Sequence, residues 1–256
     1  PYSEHDGAQA CGTGDGTGFA YARKHYTDFQ NPFTEGTFRE VLTTKGKKKG
    51  KQSTAKWPPK IPEDGRYAVY VAYKTLPNST EDALYTVHHK DGVTRFSVNQ
   101  TMGGGTWIYL GTFSFAKGEG GFVELSNLSK TAGKVLTADA VKFGGGMGNI
   151  ERGGTTSGMP RCLEGARYYA QWAGIPYDIY STKKGTDDYS DDINVRSLMT
   201  NTLGGGSVYM PSREGLGVPL ELSLAVHSDA GYRTDDTSLI GSLAVCTTRF
   251  NDGRLN

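Results

Sequence analysis

Cysteine is scarce in this chain and scattered. Only Cys11, Cys162 and Cys246 occur in 256 residues, and no two stand in a C-x-x-C spacing. That excludes a zinc ribbon and a thioredoxin-type motif, and it leaves room for at most one disulfide. Net charge is lacking too. The 28 Lys and Arg are balanced by 27 Asp and Glu, for a formal charge of +1, so no global field draws the chain to nucleic acid or to an acidic surface. No apolar run approaches the roughly 18–20 residues of a membrane span. No secretion signal opens the sequence either. It begins at PYSEHDG without Met, as a mature or trimmed product does, so its start excludes nothing about export.

Glycine is what the chain holds in excess. Its 36 glycines are roughly twice average usage. With 15 tyrosines and many threonines they point to β structure with numerous turns. One local exception to the charge balance, KGKKKGK at 45–51, reads as a solvated loop, with a polyanion contact as the alternative. The glycine run CGTGDGTGF at 11–19 lacks the preceding strand and the following Lys-Ser/Thr of a phosphate loop, and reads as an ordinary loop.

Residues 66–143 carry the strand signal. RYAVYVAY (66–73) and ALYTVHH (83–89) alternate and are rich in Val and Tyr, as strands are. KDG (90–92) turns the second into VTRFSVNQ (93–100), a hairpin. TWIYLGTFSFA (106–116), GFVELSNL (121–128) and KVLTADAVKFG (134–144) follow, separated by Gly-rich turns. Half a dozen short strands at this spacing predict an antiparallel β-sandwich or barrel. Pro59 and Pro62 belong to an edge or entry segment.

Beyond the triple glycine at 144–146 the pattern changes. PRCLEGARYYAQWAG (160–174) has a helical rhythm, with Pro160 suited to a first turn and Gly174 to the position after the last. DDYSDDINVRSLMTNTL (187–203) reads as a second helix whose early acids complement the dipole. LELSLAV (220–226) then reads as a buried strand ending on His227, and SLIGSLAVCTTRF (238–250) as another. Helix, helix, strand is α/β grammar, and the carboxyl end of such a strand is where ligands bind.

Two segments resemble known families. MGGGTWIYLGTFSF (102–115), KVLTADAVKFGGG (134–146) and YTVHHKDGVTRFSVNQ (85–100) closely resemble the golvesin-type domain found beside xanthan lyases. That resemblance implies a carbohydrate-binding-like sandwich in a secreted bacterial protein. The segment after 146 is similar to the zinc-dependent N-acetylmuramoyl-L-alanine amidases. This second resemblance implies zinc ligation by Glu164 in SGMPRCLEGARYYAQWAG and by His227 in AVHSDAG, where Ser228 and Asp229 replace the usual Ala-Asn. Arg196 and Asn201 in RSLMTN match a family Arg and Asn. The family's upstream His-Gly motif and its C-terminal catalytic Glu have no match, so the catalytic base is unassigned. His5 is the nearest substitute for the third ligand.

The expected fold is therefore mixed, an antiparallel β-sandwich plus an incomplete α/β amidase-like domain. The expected division is 1–29 with the α/β part, 30–146 as the golvesin-like sandwich, and 147–256 as the partial amidase-like domain. The main functional expectation is a secreted or cell-surface zinc hydrolase acting on peptidoglycan. Zn2+ would sit on Glu164 and His227, with the third ligand from His5, from Asp229 or from sequence absent here, and with Asp229 and Arg196 otherwise in support. Catalytic zinc needs about three protein ligands and an open position, and lowers the pKa of bound water to about 7. The alternative is a non-catalytic carbohydrate-binding or surface protein, and a polysaccharide lyase stands third. For sugar contact the candidates are Trp107, Tyr109, Tyr85 and Phe96; the competing reading of each is core packing. For Glu164 the competing reading is a helix-surface acid, for His227 a packing or capping histidine, and for Arg196 a salt-bridge partner. No nucleic-acid partner and no membrane span are expected.

Overall fold

In the computed structural model the described residues are 2–20, 27, 29–46, 51–118, 120–144, 151–152, 155–156, 165–206 and 211–224. The chain divides into two units, Pro1–Met199 and Thr200–Asn256.

The first unit is built on eleven strands: β1 (Ser3–His5), β2 (Gly12–Thr13), β3 (Arg39–Leu42), β4 (Thr54–Trp57), β5 (Gly65–Ala72), β6 (Ala83–His89), β7 (Gly92–Val98), β8 (Ile108–Phe115), β9 (Phe122–Ser126), β10 (Val135–Ala138) and β11 (Ala140–Phe143). A two-stranded hairpin, β12 (Glu151–Arg152) with β13 (Thr155–Thr156), follows them. One layer is a five-stranded sheet in the order β1-β4-β9-β6-β7, antiparallel throughout. The other layer has two three-stranded parts, β10-β3-β2 and β11-β5-β8. Asp139 alone separates β10 from β11, so one segment pairs with β3 before that residue and with β5 after it.

Period-two alternation makes these layers a sandwich, because it sends every second side chain to the same face. Tyr85, Val87, Val123 and Leu125 of the first sheet meet Val69, Val71, Phe115 and Leu136 of the second layer in one core. Several of these are completely shielded, including Val69, Val87 and Val123 at 0% exposure. Each such side chain stabilises the fold by about 1.5–3 kcal/mol. The turn at Lys90–Asp91 closes the β6–β7 hairpin, with Gly92 at φ +133° directly after it.

Where the second layer changes partner, a side chain substitutes for a strand. Gln100 is fully buried. Its Oε1 accepts from the Thr137 N–H at 2.9 Å, and its Nε2 donates to the Thr137 carbonyl at 2.8 Å. The same amide nitrogen lies 3.3 Å from the Tyr85 hydroxyl.

For residues 3–5 and 12–13 the expected grouping with an α/β part is corrected by the pairing. Ser3, Glu4 and His5 lie opposite Lys56, Ala55 and Thr54 at the edge of the five-stranded sheet, and Gly12–Thr13 pair with β3. Strands this short carry too little alternation to be seen in sequence.

Three helices follow the sandwich: α1 (Ala166–Trp172), α2 (Tyr177–Tyr180) and α3 (Asp188–Gly204). Gly174, just past α1, has φ +80°, and a Cβ there would lie 2.6 Å from the Gly105 carbonyl and 2.7 Å from the Phe33 ring. Both the conformation and the space demand glycine. Asp187 caps α3 by accepting from the Ser190 N–H at 3.0 Å, as a carboxylate at a helix start does.

In the second unit the expected strand at 220–226 is corrected over its described part. Residues 220–224 are irregular, with Leu222 and Leu224 more than 80% exposed. An alternating LELSL pattern needs a partner strand to become sheet, and none pairs with it among the described residues. Residues 225–226, His227 and the expected strand at 238–250 lie outside them.

Candidate functional site

The outer face of the β11-β5-β8 sheet carries an aromatic row. Register places Lys142 opposite Tyr70 and Tyr70 opposite Tyr109, so the three side chains share one face across three strands. The Tyr70 and Tyr109 rings are 5.2 Å apart and inclined by 49°. Tyr70 is buried beneath this row, whereas Tyr109 is 55% exposed. The Lys142 ammonium lies 4.5 Å from the Tyr70 ring centre and 5.3 Å from that of Trp107, within cation–π range.

A β-bulge aims Tyr109 outward. Val69 pairs with Gly111 but its neighbour Tyr70 pairs with Tyr109, so Leu110 is the extra residue. Without it, positions 109 and 112 would face opposite sides, since their separation is odd. With it, the Tyr109 hydroxyl and Thr112 Oγ1 meet at 2.7 Å on the outer face. Gly111 takes φ +152°, and a Cβ there would strike the Phe113 ring at 2.8 Å. The result is an exposed phenol ring, fixed in direction, with the Thr112 hydroxyl beside it and the Lys142 ammonium buried beneath. Such a surface can stack on an apolar ring face and exchange hydrogen bonds at its rim.

Of the four aromatic residues expected to meet sugar, Tyr109 is exposed, Phe96 is half-buried, and Tyr85 and Trp107 are buried. Tyr85 is 1% exposed in the core, and burial holds its phenol well above the ordinary range. Phe96 packs against the same core. Trp107 is buried in a second cluster, 5.0 Å from Phe19 and 5.4 Å from Phe33, with Trp172 beyond. Tyr85 and Phe96 turn toward the core, and alternation tells two faces apart but not which face is inward; Trp107 is instead covered by Phe19 and Phe33. Tyr70 and Lys142 went unrecognised, although both lie in strands legible in the sequence.

The expected zinc set is not assembled by the described residues. Glu164, His227 and Asp229 lie outside them. His5 sits in β1 opposite Thr54. Arg196 donates to Asp192, four residues earlier on α3, at 2.6 Å, the salt-bridge reading. Among the described residues one cluster of ligand-type atoms occurs, Glu4, Asp6 and Cys11, and it does not include His5. Glu4 is already bonded by Arg39 at 2.7 and 2.9 Å, and burial pushes the Cys11 thiol up to about 11. With both Glu4 oxygens held by the Arg39 guanidinium, the cluster makes a poor metal centre. That cluster therefore does not fit a catalytic zinc. Among them, no helix is long and apolar enough to cross a membrane.

The fold and this face define an antiparallel β-sandwich that displays an aromatic side chain on its outer face. Residues 34–145 match the Golvesin C-terminal domain, so the sandwich is golvesin-like. Over 87 residues the chain is 40% identical to the xanthan lyase of Bacillus sp. (strain GL1); the match covers 33% of this chain and 9% of that protein. Among solved structures it is similar to a Paenibacillus xanthan lyase, with 24% identity and a TM-score of 0.37, over 56% of this chain and 12% of that one. The C-terminal CBM6 of a marine laminarinase from Zobellia galactanivorans aligns with 11% identity and a TM-score of 0.30, over 56% of this chain and 99% of that one. The chain thus spans only a small part of the xanthan lyases it matches.

Proposed function

We propose that this chain acts as an accessory carbohydrate-binding module of a secreted polysaccharide-acting protein, with Tyr109 on its Tyr70–Lys142 base as the sugar contact. The observation that carries the reading is the 40% identity to a segment that is 9% of a xanthan lyase. So short a segment of a long enzyme is the size of an accessory domain rather than of a catalytic one. The Tyr109 face supports it, because Tyr109 is the expected sugar contact with more than half of its surface in solvent. The ligand class is polysaccharide, with xanthan the first to test.

Native affinity electrophoresis in gels containing xanthan checks this directly. The wild-type chain should be retarded, and Tyr109→Ala should weaken retention about tenfold or more, equivalent to about 1.4 kcal/mol or more. Tyr109→Phe should retain most of the binding. Equal retention of Tyr109→Ala and wild type would remove this face from the function.

The zinc-amidase reading makes a separate prediction. On the accessory-module reading, the purified chain should release no peptide from muropeptides above background. About one zinc per chain by elemental analysis, lost in a Glu164→Ala/His227→Ala variant together with muropeptide cleavage, would reinstate the amidase.

A further inference from the structure

Outside the sandwich, one large apolar side chain is displayed against two physical preferences at once. Phe29 is 72% exposed and its backbone has φ +72°. Single exposed apolar residues are ordinary on protein surfaces. A bulky residue in the left-handed region is not, and such strain persists only where surrounding structure imposes it.

Here the imposing contacts can be named. The Phe29 N–H donates to the Tyr180 hydroxyl at 3.2 Å. Gln171 of α1, almost fully buried, donates through Nε2 to the Thr27 carbonyl at 2.7 Å and to the Gln30 carbonyl at 3.2 Å. Asn31 accepts from the Phe33 N–H at 2.9 Å and donates to the Gly174 carbonyl at 2.9 Å. The backbone on either side of Phe29 is thus tied to α1, α2 and the turn between them. The ring is set by a further contact: it stacks on Tyr177 of α2, with centroids 3.9 Å apart and planes within 26°. Tyr177 is in turn braced edge-on by Tyr180 at 5.5 Å.

We infer that Phe29 and Tyr177 form a second glycan-contact platform, taking the flat C–H face of a gluco-configured pyranose in a polysaccharide chain. A stacked pair is planar and uncharged, and Phe29 keeps most of its surface in water although one ring face meets Tyr177. A pyranose whose ring hydroxyls are all equatorial presents a matching apolar face to the open side of the Phe29 ring, which Tyr177 backs. The inference rests on the carbohydrate reading above and adds to it that one chain carries two separate contacts. Two contacts on one polymer raise retention well beyond that of either alone.

The test compares wild type, Phe29→Ala, Phe29→Trp, Tyr109→Ala and the Phe29→Ala/Tyr109→Ala double variant. Each is run in affinity gels containing hydroxyethyl cellulose or xanthan, with cellohexaose titrated by calorimetry. Phe29→Ala should weaken polymer retention about tenfold, and Phe29→Trp should preserve it. Cellohexaose should bind wild type at two sites and each single Ala variant at one. Thermal unfolding of each variant separates lost binding from lost folding, and Phe29→Trp retains an aromatic ring where Phe29→Ala does not. If Phe29→Ala binds like wild type while Tyr109→Ala does not, the second platform is overturned and the module reading stands. If wild type binds no glycan, both fall. If Phe29→Ala alters sedimentation and leaves glycan retention unchanged, the platform is a protein contact and the inference is overturned.

Discussion

Replacing Gln100 by Leu should destabilise the fold by about 4 kcal/mol. The two side chains are of similar size, so the loss is polar rather than a cavity. Leu cannot pair the Thr137 N–H and carbonyl that Gln100 bonds at 2.9 and 2.8 Å, and each buried backbone group left unpaired costs about 1–3 kcal/mol. The Tyr85 hydroxyl loses its contact with the same amide. Thr137 Oγ1 still bonds Lys74, accepting from its N–H at 3.1 Å and donating to its carbonyl at 2.7 Å, so the damage stays at the Thr137 backbone. In a chain of this length about 4 kcal/mol corresponds to a fall in Tm of about 10 °C, measurable by calorimetry or urea unfolding. Gln100→Glu supplies the control. Its carboxylate keeps the acceptor and loses the donor, whereas its protonated form restores a donor, so that variant should recover stability as pH falls. A loss under 1 kcal/mol for Gln100→Leu would show that Thr137 finds other partners.

Gln100 also marks where the sequence stops being readable. In VTRFSVNQ it looks like the last polar residue of an exposed strand, yet β7 ends at Val98 and Gln100 turns inward. Its role depends on Thr137, 37 residues away, and alternation carries only local information. What was legible follows that division. β5, β6, β7, β8 and β9 are long, alternating strands bounded by glycine turns, and each was recognisable. β10 and β11 read as one strand because the change of partner at Asp139 leaves no local mark. β1 to β4 are two to four residues long and take their order from partners distant in sequence. At the candidate site, Tyr109 was named from its alternation but Trp107, two residues earlier, was named with it. The pair separates only because Phe19 and Phe33 cover Trp107. Phe29 could not be singled out at all, since its exposure follows from a stack with Tyr177 and a backbone held by Gln171 and Tyr180.

Asp139→Asn should stabilise the protein at neutral pH and remove part of its pH dependence. Burial raises the Asp139 carboxyl from its ordinary 3.8 to about 6. The Phe19 N–H, donating to its two oxygens at 2.9 and 3.1 Å, and the Lys74 charge act in the opposite direction without overcoming burial. The folded state therefore binds the proton more tightly than the unfolded state does. Stability from this group is complete below about pH 4, falls as pH rises through 4 to 6, and stays lost above that range. A shift of about two pH units corresponds to about 3 kcal/mol, and Asn removes the penalty because Oδ1 still accepts from Phe19 while no charge is buried. Wild type and variant should be compared by urea unfolding between pH 4 and pH 8. Other carboxyls, among them Glu4 and Asp82, are held below their ordinary range and favour higher pH, so the informative quantity is the difference between the two proteins. That difference should be small at pH 4 and grow to about 1–3 kcal/mol by pH 7. A constant difference would mean Asp139 does not titrate in this range, and a destabilised variant would mean its charge is needed to hold Phe19. Phe19 packs against Trp107, Phe33 and Trp172. The outcome therefore measures how firmly Asp139 fastens Phe19 to the sandwich.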